Sequence, residues 1–452
     1  MEYGERSVLK RNRMGNNGGE YPMPILQYGS VGPRVAFSQL GLKRAGYLDP
    51  EPDGIFGRQT QRAVRAFQSS AGLRQDGIIG PRTWQALGPW LAGYREIRIQ
   101  RGDSFFRIAF RFGISVQALE TANPEADPLN LRIGQKLIVP LPFPVVPENI
   151  PFTSEVLQSC VRGLRARYPF IYADSIGDSV LGTPLYLLRM GLGENHVFFN
   201  GAHHANEWIT SPLLMKYLEK YADAYASGNR IGGIDASELY RKTTLSVVPM
   251  VNPDGVDLVT GSLDAQSAAY FSAVSMNGSL ERFPENWKAN IHGVDLNLQY
   301  PAGWEKAREI KFAQGYTQPG PRDYVGPRPL SEPESDAVYR FTRGESFSLT
   351  LSYHAQGEVI YWKYQTFEPE DSESIGKEFS RLSGYALELT PNESGYAGYK
   401  DWFIQSFNRP GYTIEVGNGT NPLPLGQLRE IYRRNEGLLS YAQIATAETG
   451  SQ

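Results

Sequence analysis

His204 and Glu207 stand three residues apart in Gly201-Ala202-His203-His204-Ala205-Asn206-Glu207-Trp208, directly after the apolar run Val197-Phe198-Phe199-Asn200. In a tight turn or the first turn of a helix, that spacing lets both side chains face one point. An imidazole nitrogen and a carboxylate oxygen are a known pair of catalytic zinc ligands, completed by a third protein ligand and a water. The apolar run suits a buried strand, and the motif suits the turn at its end. A His-x-x-Glu pair alone is a weak signal, so the partner residues must be sought in the rest of the chain.

His204-Ala205-Asn206-Glu207-Trp208 resembles the zinc motif of the metallocarboxypeptidase family, and companion motifs follow in the family's order. They are Asn252-Pro253-Asp254-Gly255, Gly293-Val294-Asp295-Leu296-Asn297, His354 in Leu351-Ser352-Tyr353-His354-Ala355-Gln356, and Glu415 in Tyr412-Thr413-Ile414-Glu415-Val416. The resemblance implies a zinc-dependent amidohydrolase with one zinc per chain, held by His204, Glu207 and His354. Glu415 would be the base that takes a proton from water and returns it to the leaving amine.

The residues fit those roles. His354 follows an apolar strand candidate and is far from His204, so it can close the site from another element; His203 should point away from its neighbour, and His196 and His292 lie in polar connections. A carboxylate in the apolar run around Glu415 is costly to bury, and active sites are where such groups gather. The family sets an arginine after an aromatic residue to face the oxyanion; here Trp287-Lys288 occupies that region, which gives Lys288 the role. Asp295 is a candidate to hydrogen-bond a ligating imidazole. Tyr396 and Tyr399 are both candidates for the family's mobile tyrosine over the substrate.

One departure bears on specificity. Where carboxypeptidases of this family have Asn-Arg, this chain has Asn297-Leu298. Leucine cannot make the two-pronged bond of a guanidinium to a terminal carboxylate, unless Arg409, Arg308 or another cation reaches in. The branch most resembled is the γ-D-glutamyl-L-diamino acid endopeptidases, implying cleavage between γ-D-Glu and meso-diaminopimelate or Lys in peptidoglycan stem peptides, with Asn297 helping to hold the substrate. The alternatives are an ordinary metallocarboxypeptidase and a catalytically inactive wall-binding protein. No ligand or base is missing from the sequence, which disfavours the last.

The elements around these motifs divide the 452 residues into several parts. Residues 1–25, rich in Gly, Asn and charge, are expected to be a flexible arm. Residues 26–92 carry Asp53-Gly54-Ile55-Phe56-Gly57, Ala63-Val64 and Phe67 at helical spacing, and Asp76-Gly77-Ile78-Ile79-Gly80-Pro81 before Thr83-Trp84. That pattern resembles the three-helix peptidoglycan-binding domain. Residues 93–141 suggest a strand over Ile97–Ser104, helices Phe105–Phe112 and Val116–Ala122 capped by Ser104 and Ser115, and a return strand ending at Pro140. This βααβ order resembles a LysM domain, which binds N-acetylglucosamine polymers. A proline-rich stretch, 142–150, is expected to be a semi-rigid extended linker. From 151 to 452, near-continuous apolar strand candidates alternate with helices such as Leu213–Tyr225, indicating a sheet covered on both faces. With the resemblance, this implies an α/β class protein whose catalytic part is an α/β/α sandwich with a central mixed sheet.

Composition agrees. The formal net charge is −3, but the chain to about residue 145 carries about seven excess positive charges and the remainder about ten excess negatives. A basic front part suits a polyanionic surface, and the two modules make peptidoglycan, with its glycan and stem peptides, the expected partner rather than nucleic acid. The single Cys160 can make no internal disulfide. No stretch has transmembrane length, and no apolar run suited to a Sec-type signal follows Lys10, Arg11 and Arg13. The chain is therefore expected to act on the cell wall and to be kept inside the cell of synthesis, in the cytoplasm or a spore or sporangium, released by lysis, or exported by a route the sequence does not show. The enzymes this arrangement resembles act in sporulating bacilli.

Overall fold

The computed structural model describes residues 24–446. Most of the expected arm, residues 1–23, lies outside the described residues. From Pro24 the chain enters a bridge between Leu26 and Ile79 and then three helices, Pro33–Arg44, Arg58–Ser70 and Pro81–Ala92. The two Asp-Gly turns are one device used twice. Gln39 donates to Asp53 Oδ1 (2.7 Å) and Thr60 Oγ1 (3.0 Å), and Gln68 donates to Asp76 Oδ1 (2.9 Å) and Thr83 Oγ1 (3.1 Å). Gly54 and Gly77 hold φ of 73° and 76°, a left-handed conformation for which glycine is the cheapest residue.

Next come β1 (Tyr94–Arg98) and β2 (Lys136–Pro140), an antiparallel pair enclosing helices Phe105–Phe112 and Val116–Ala122. Ser104 and Ser115 accept from Arg107 N and Ala118 N as N-caps. The first strand sits earlier than the expected Ile97–Ser104, because the Gly102 turn, φ 88°, ends pairing just beyond Ile99. The linker differs from expectation. Instead of standing off as a spacer, it lies along the catalytic part, with Val145 and Val146 buried and both their N–H groups donated to Glu219.

The catalytic part is built on strands β3 (Tyr172–Asp178), β4 (Pro184–Met190), β5 (Asn195–Gly201), a short hairpin of β6 (Arg230–Ile231) and β7 (Ile234–Asp235), then β8 (Thr243–Val248), β9 (Leu349–His354), β10 (Val359–Tyr361), β11 (Ala386–Glu388) and β12 (Gly411–Glu415). Eight of them form one mixed sheet in the order β11-β10-β12-β9-β5-β8-β4-β3. Alternate residues of β5 feed two cores. Val197 and Phe199 pack with Leu214 and Leu218 of the helix Thr210–Ser227, whereas Phe198 packs with Val338, Tyr399 and Phe403 on the other face. This two-sided burial explains why β5 carries the continuous apolar run Val197-Phe198-Phe199. It makes the catalytic part the α/β/α sandwich that the sequence implies.

Candidate active site

The site forms where the parallel neighbours β5, β9 and β12 end together. Gly201 pairs with Tyr353, and Glu415 pairs with His354. Side chains just past the carboxyl ends of strands converge on the crevice there. After Gly201 the chain turns through Ala202, φ 52°, into a 3₁₀ turn, Ala205–Glu207, which brings His204 and Glu207 onto one side. Asn252 pins this loop by donating to His203 O (3.1 Å) and Ala289 O (3.0 Å) while capping its own helix through Gly255 N. A Cβ at Gly255 would lie 2.8 Å from Ala205 Cβ and 2.8 Å from Ala289 O. The Asn-Pro-Asp-Gly motif is thus the support under the loop, and its glycine permits the close approach.

Three donors meet. His204 Nδ1 lies 2.9 Å from Glu207 Oε1, His354 Nδ1 lies 3.0 Å from Glu207 Oε2, and the two Nδ1 atoms face each other at 3.2 Å. All three residues are buried, and they are the group of His, Cys, Asp and Glu side chains that could hold a metal ion among the described residues. Ligand bonds of about 2.0–2.1 Å around a tetrahedral zinc put donors about 3.3 Å apart, which these separations match. Two imidazole lone pairs aimed at one point beside a carboxylate form the donor set that a divalent cation satisfies.

The surroundings fix these groups. Asp295 Oδ1 accepts from His204 Nε2 at 3.0 Å, so His204 presents Nδ1 inward. Burial opposes a charged His204, yet Glu207 and Asp295 hold its pKa up at about 9, so a cation bound at Nδ1 would displace a proton. Burial pushes the Glu207 carboxyl up, but His204, Lys288 and bonds from both imidazoles outweigh it and hold it well below its ordinary value. Lys288 Nζ lies 3.6 Å from Glu207 Oε1; burial works against its charge, and Glu207 and Asp295 more than restore it. Glu415, half-buried at the end of β12, is pushed up to about 8 by burial and by repulsion from Glu207.

The structure gathers His204, Glu207, His354, Lys288, Asp295 and Glu415 around one place. It separates the two tyrosines. Tyr399 is fully buried, with its hydroxyl 3.1 Å from Thr342 Oγ1 and its ring among Phe198, Tyr300 and His203, so it is a core residue and cannot swing over a substrate. Tyr396 is half-buried against Tyr364 and the cluster that contains Leu298. Asn297 accepts from Tyr399 N at 3.0 Å, which orients its amide. His203 turns away and bonds Tyr300 Oη at 2.9 Å.

Neither candidate for a replacement cation enters the site. Arg409 donates to Phe347 O at 2.7 Å, at the opposite end of the strands. Arg308 lies over the rings of Phe312 and Trp304. Leu298 is buried with Trp304, Ala307, Val325 and Ala397. Sequence reasoning missed Asp323, whose N–H donates to Asp295 Oδ2 at 3.4 Å while its carboxylate takes Lys311 (2.6 Å) and Arg322 (2.7 Å). These residues lie in or before the Gly- and Pro-rich segment 319–327, which has no periodicity to mark them.

Comparison with known proteins agrees with this geometry. A sequence profile described as zinc carboxypeptidase matches residues 157–436, one described as putative peptidoglycan binding domain matches 31–87, and one described as LysM domain matches 97–140. The chain is 41% identical over 395 residues to γ-D-glutamyl-L-diamino acid endopeptidase 1 of Lysinibacillus sphaericus, covering 76% of this chain and 98% of that protein. It is 42% identical over 275 residues to an uncharacterized Bacillus subtilis protein, covering 60% of this chain and 72% of the other. In fold it resembles thrombin activatable fibrinolysis inhibitor, with a TM-score of 0.52 at 18% identity, over 66% of this chain and 74% of that one.

Proposed function

The chain belongs to the zinc carboxypeptidase family, and from that premise we propose that it is a zinc-dependent peptidoglycan hydrolase cleaving the amide between γ-D-Glu and the diamino acid of stem peptides. His204, Glu207 and His354 hold one zinc ion per chain. Bound there, zinc would polarise the scissile carbonyl and lower the pKa of water at the site. Glu415 takes a proton from the attacking water and returns it to the leaving amine, so that one O–H and one C–N bond break while one C–O and one N–H bond form. The raised affinity of Glu415 for protons suits a group that must both accept and donate near neutrality. Lys288 places its ammonium toward the charge that develops on the carbonyl oxygen. Asn297, oriented by Tyr399 N, helps hold the substrate, and Tyr396 is the tyrosine left to cover it.

The observation that carries the substrate reading is Leu298. It occupies the place of the family's carboxylate-binding arginine, is buried in an apolar cluster, and has neither Arg409 nor Arg308 to replace it. With that clamp absent and Arg322 engaged by Asp323, the site does not demand a free C-terminal carboxylate in the family's usual way. The relative named for γ-D-glutamyl-L-diamino acid cleavage matches over nearly its whole length, and the profiles at 31–87 and 97–140 supply contact with the wall. Action in a spore or sporangium belongs to the same reading. Mass spectrometry of defined stem peptides tests it: the expected products separate at the γ-D-Glu bond. Release of C-terminal residues from ordinary L-peptides with that bond intact would give the ordinary carboxypeptidase reading instead.

A further inference from the structure

The linker that should free the front modules instead binds them. Arg44, at the end of the helix Pro33–Arg44, donates to Trp90 O and Leu91 O (both 3.2 Å) within its own module and to Pro144 O (2.7 Å) and Val145 O (3.1 Å) on the linker. Arg167, at the end of the catalytic helix Ser154–Arg167, reaches the same seam from the other side. It donates to Gly93 O through Nε (3.1 Å) and Nη2 (2.8 Å), and Nη2 also meets Leu141 O (2.6 Å) and Phe143 O (2.7 Å). Glu219 of the helix Thr210–Ser227 accepts from Val145 N (2.6 Å) and Val146 N (3.0 Å). Arg167 and Glu219 are only 8% and 7% exposed, so these charges have given up water for bonds that only the docked arrangement supplies.

The contact is also steric. The catalytic helix presents Gly163 to the end of the first module, where a Cβ would stand 2.1 Å from Ala92 O and 2.7 Å from Val145 Cγ1. Arg34 pairs with Glu155 at 3.1 Å across the same boundary, and one continuous apolar core runs from Leu87 and Leu91 through Val145 to Val161 and Leu164. The LysM-like module is held beside the same seam as well, where Gln117 Nε2 donates to Ala226 O at 2.6 Å. A cavity of about 390 Å³ remains beside the clasp, bordered by Ile114, Phe143, Tyr168 and Asp223. The docking leaves Phe106, Phe110, Leu129 and Ile133 open to solvent on the LysM-like module.

We propose that Arg44, Arg167 and Glu219 lock both wall-binding modules to the catalytic part as one rigid body, so that the modules fix where along the wall the active site is presented. This rests on the peptidoglycan reading above. A flexible leash raises local substrate concentration over every position it can reach; a rigid mount serves only stem peptides at one displacement from the bound glycan. Arg44, Arg167 and Glu219 are then positioning residues for polymeric substrate and have no part in the chemistry.

Three full-length variants test this: Gly163→Val, which wedges the seam; Glu219→Gln, which replaces one acceptor oxygen by a donor; and an insertion of about ten Gly and Ser residues after Pro147 combined with Arg167→Ala and Glu219→Ala, which gives slack and also removes the bonds that would otherwise keep residues 93–146 docked. Each is assayed on a soluble stem peptide and on insoluble peptidoglycan, with co-sedimentation measuring wall binding. The expected result is soluble-peptide kcat/KM within about twofold of wild type and undiminished co-sedimentation, with turnover of insoluble peptidoglycan down about fivefold or more. A merely structural defect would lower both activities together. Small-angle scattering should find the wild type compact and the insertion variant extended. Wild-type turnover of insoluble peptidoglycan by the insertion variant, or scattering from the wild type that already requires independent modules, would overturn the proposal. If the wild type fails to cut the stem peptide, the substrate reading falls, while scattering still decides the clasp.

Discussion

Asp295→Asn alters one atom outside the donor set and should weaken metal binding. Asp295 Oδ1 accepts from His204 Nε2 (3.0 Å) and from Asn297 N (3.1 Å), and Oδ2 accepts from Asp323 N (3.4 Å). Asparagine keeps one acceptor oxygen. If that oxygen stays on His204 and Asn297, the new NH2 meets the Asp323 N–H, donor against donor. If the amide turns over, NH2 faces His204 Nε2 and moves the imidazole proton to Nδ1, the nitrogen that faces Glu207 and His354. Both outcomes also remove a negative charge that supports His204. Loss of such a partner behind a ligating imidazole costs about 10–100-fold in metal affinity, equivalent to about 1.4–2.8 kcal/mol. Competition with a chromophoric chelator should find the zinc Kd raised by that factor, with the far-ultraviolet circular dichroism of the metal-free protein unchanged. A Kd within about twofold of wild type would refute the claim that Asp295 selects the ligating nitrogen of His204.

Glu415→Gln should retain zinc and lose about 10²–10⁴-fold in kcat; full turnover with zinc in place would remove Glu415 as the base. Tyr399→Phe should lower unfolding free energy by about 1 kcal/mol, through loss of the buried bond to Thr342, and leave kcat/KM unaltered. A drop in kcat/KM without a drop in stability would return the phenol to the substrate. Burial pushes Asp257, which accepts from Ser154 N at 2.9 Å, up from 3.8 to about 6. The folded chain then keeps a proton that the unfolded chain has released, so this group's contribution to stability falls as pH rises from about 4 to about 6. Denaturant titrations across that window should give a flatter pH dependence for Asp257→Asn, and equal slopes would mean that Asp257 is ionised in the fold.

What was legible in the sequence had a local signature. The helices Phe105–Phe112 and Val116–Ala122 could be placed because Ser104 and Ser115 cap them, and a cap is an interaction within three residues. The strand β5 declared itself by the apolar run Val197-Phe198-Phe199, because both its faces are buried, whereas β9 alternates Leu349, Leu351 and Tyr353 with Thr350 and Ser352 although both its faces are buried too. His204, Glu207, His354 and Glu415 could be picked out because the short motifs around them resemble the family's in kind and order, and because His354 and Glu415 each close a strand with a polar residue. The sequence leaves Tyr396 and Tyr399 as equal candidates because burial in a distant core has no local mark; only the second core, with Phe198 and Tyr300 around it, buries the Tyr399 ring.

The docking of the front modules was illegible because it joins groups far apart in the chain. Arg44, Arg167 and Glu219 are three ordinary charged helix residues in sequence, and their bonds go to backbone atoms of Gly93, Leu141 and the linker, which any residue type could supply. A proline-rich stretch has few N–H groups and reads as a spacer for that reason, yet the same scarcity suits it to a bound role. Pro142, Pro144 and Pro147 carry no donors to satisfy, while the carbonyls of Leu141, Phe143, Pro144 and Val145 accept from the two arginines and the N–H groups of Val145 and Val146 go to Glu219. The composition that suggests a free linker thus also permits a buried one. What decides between them is whether the neighbouring helices bring charges to meet it, and here helices from both sides of the seam do.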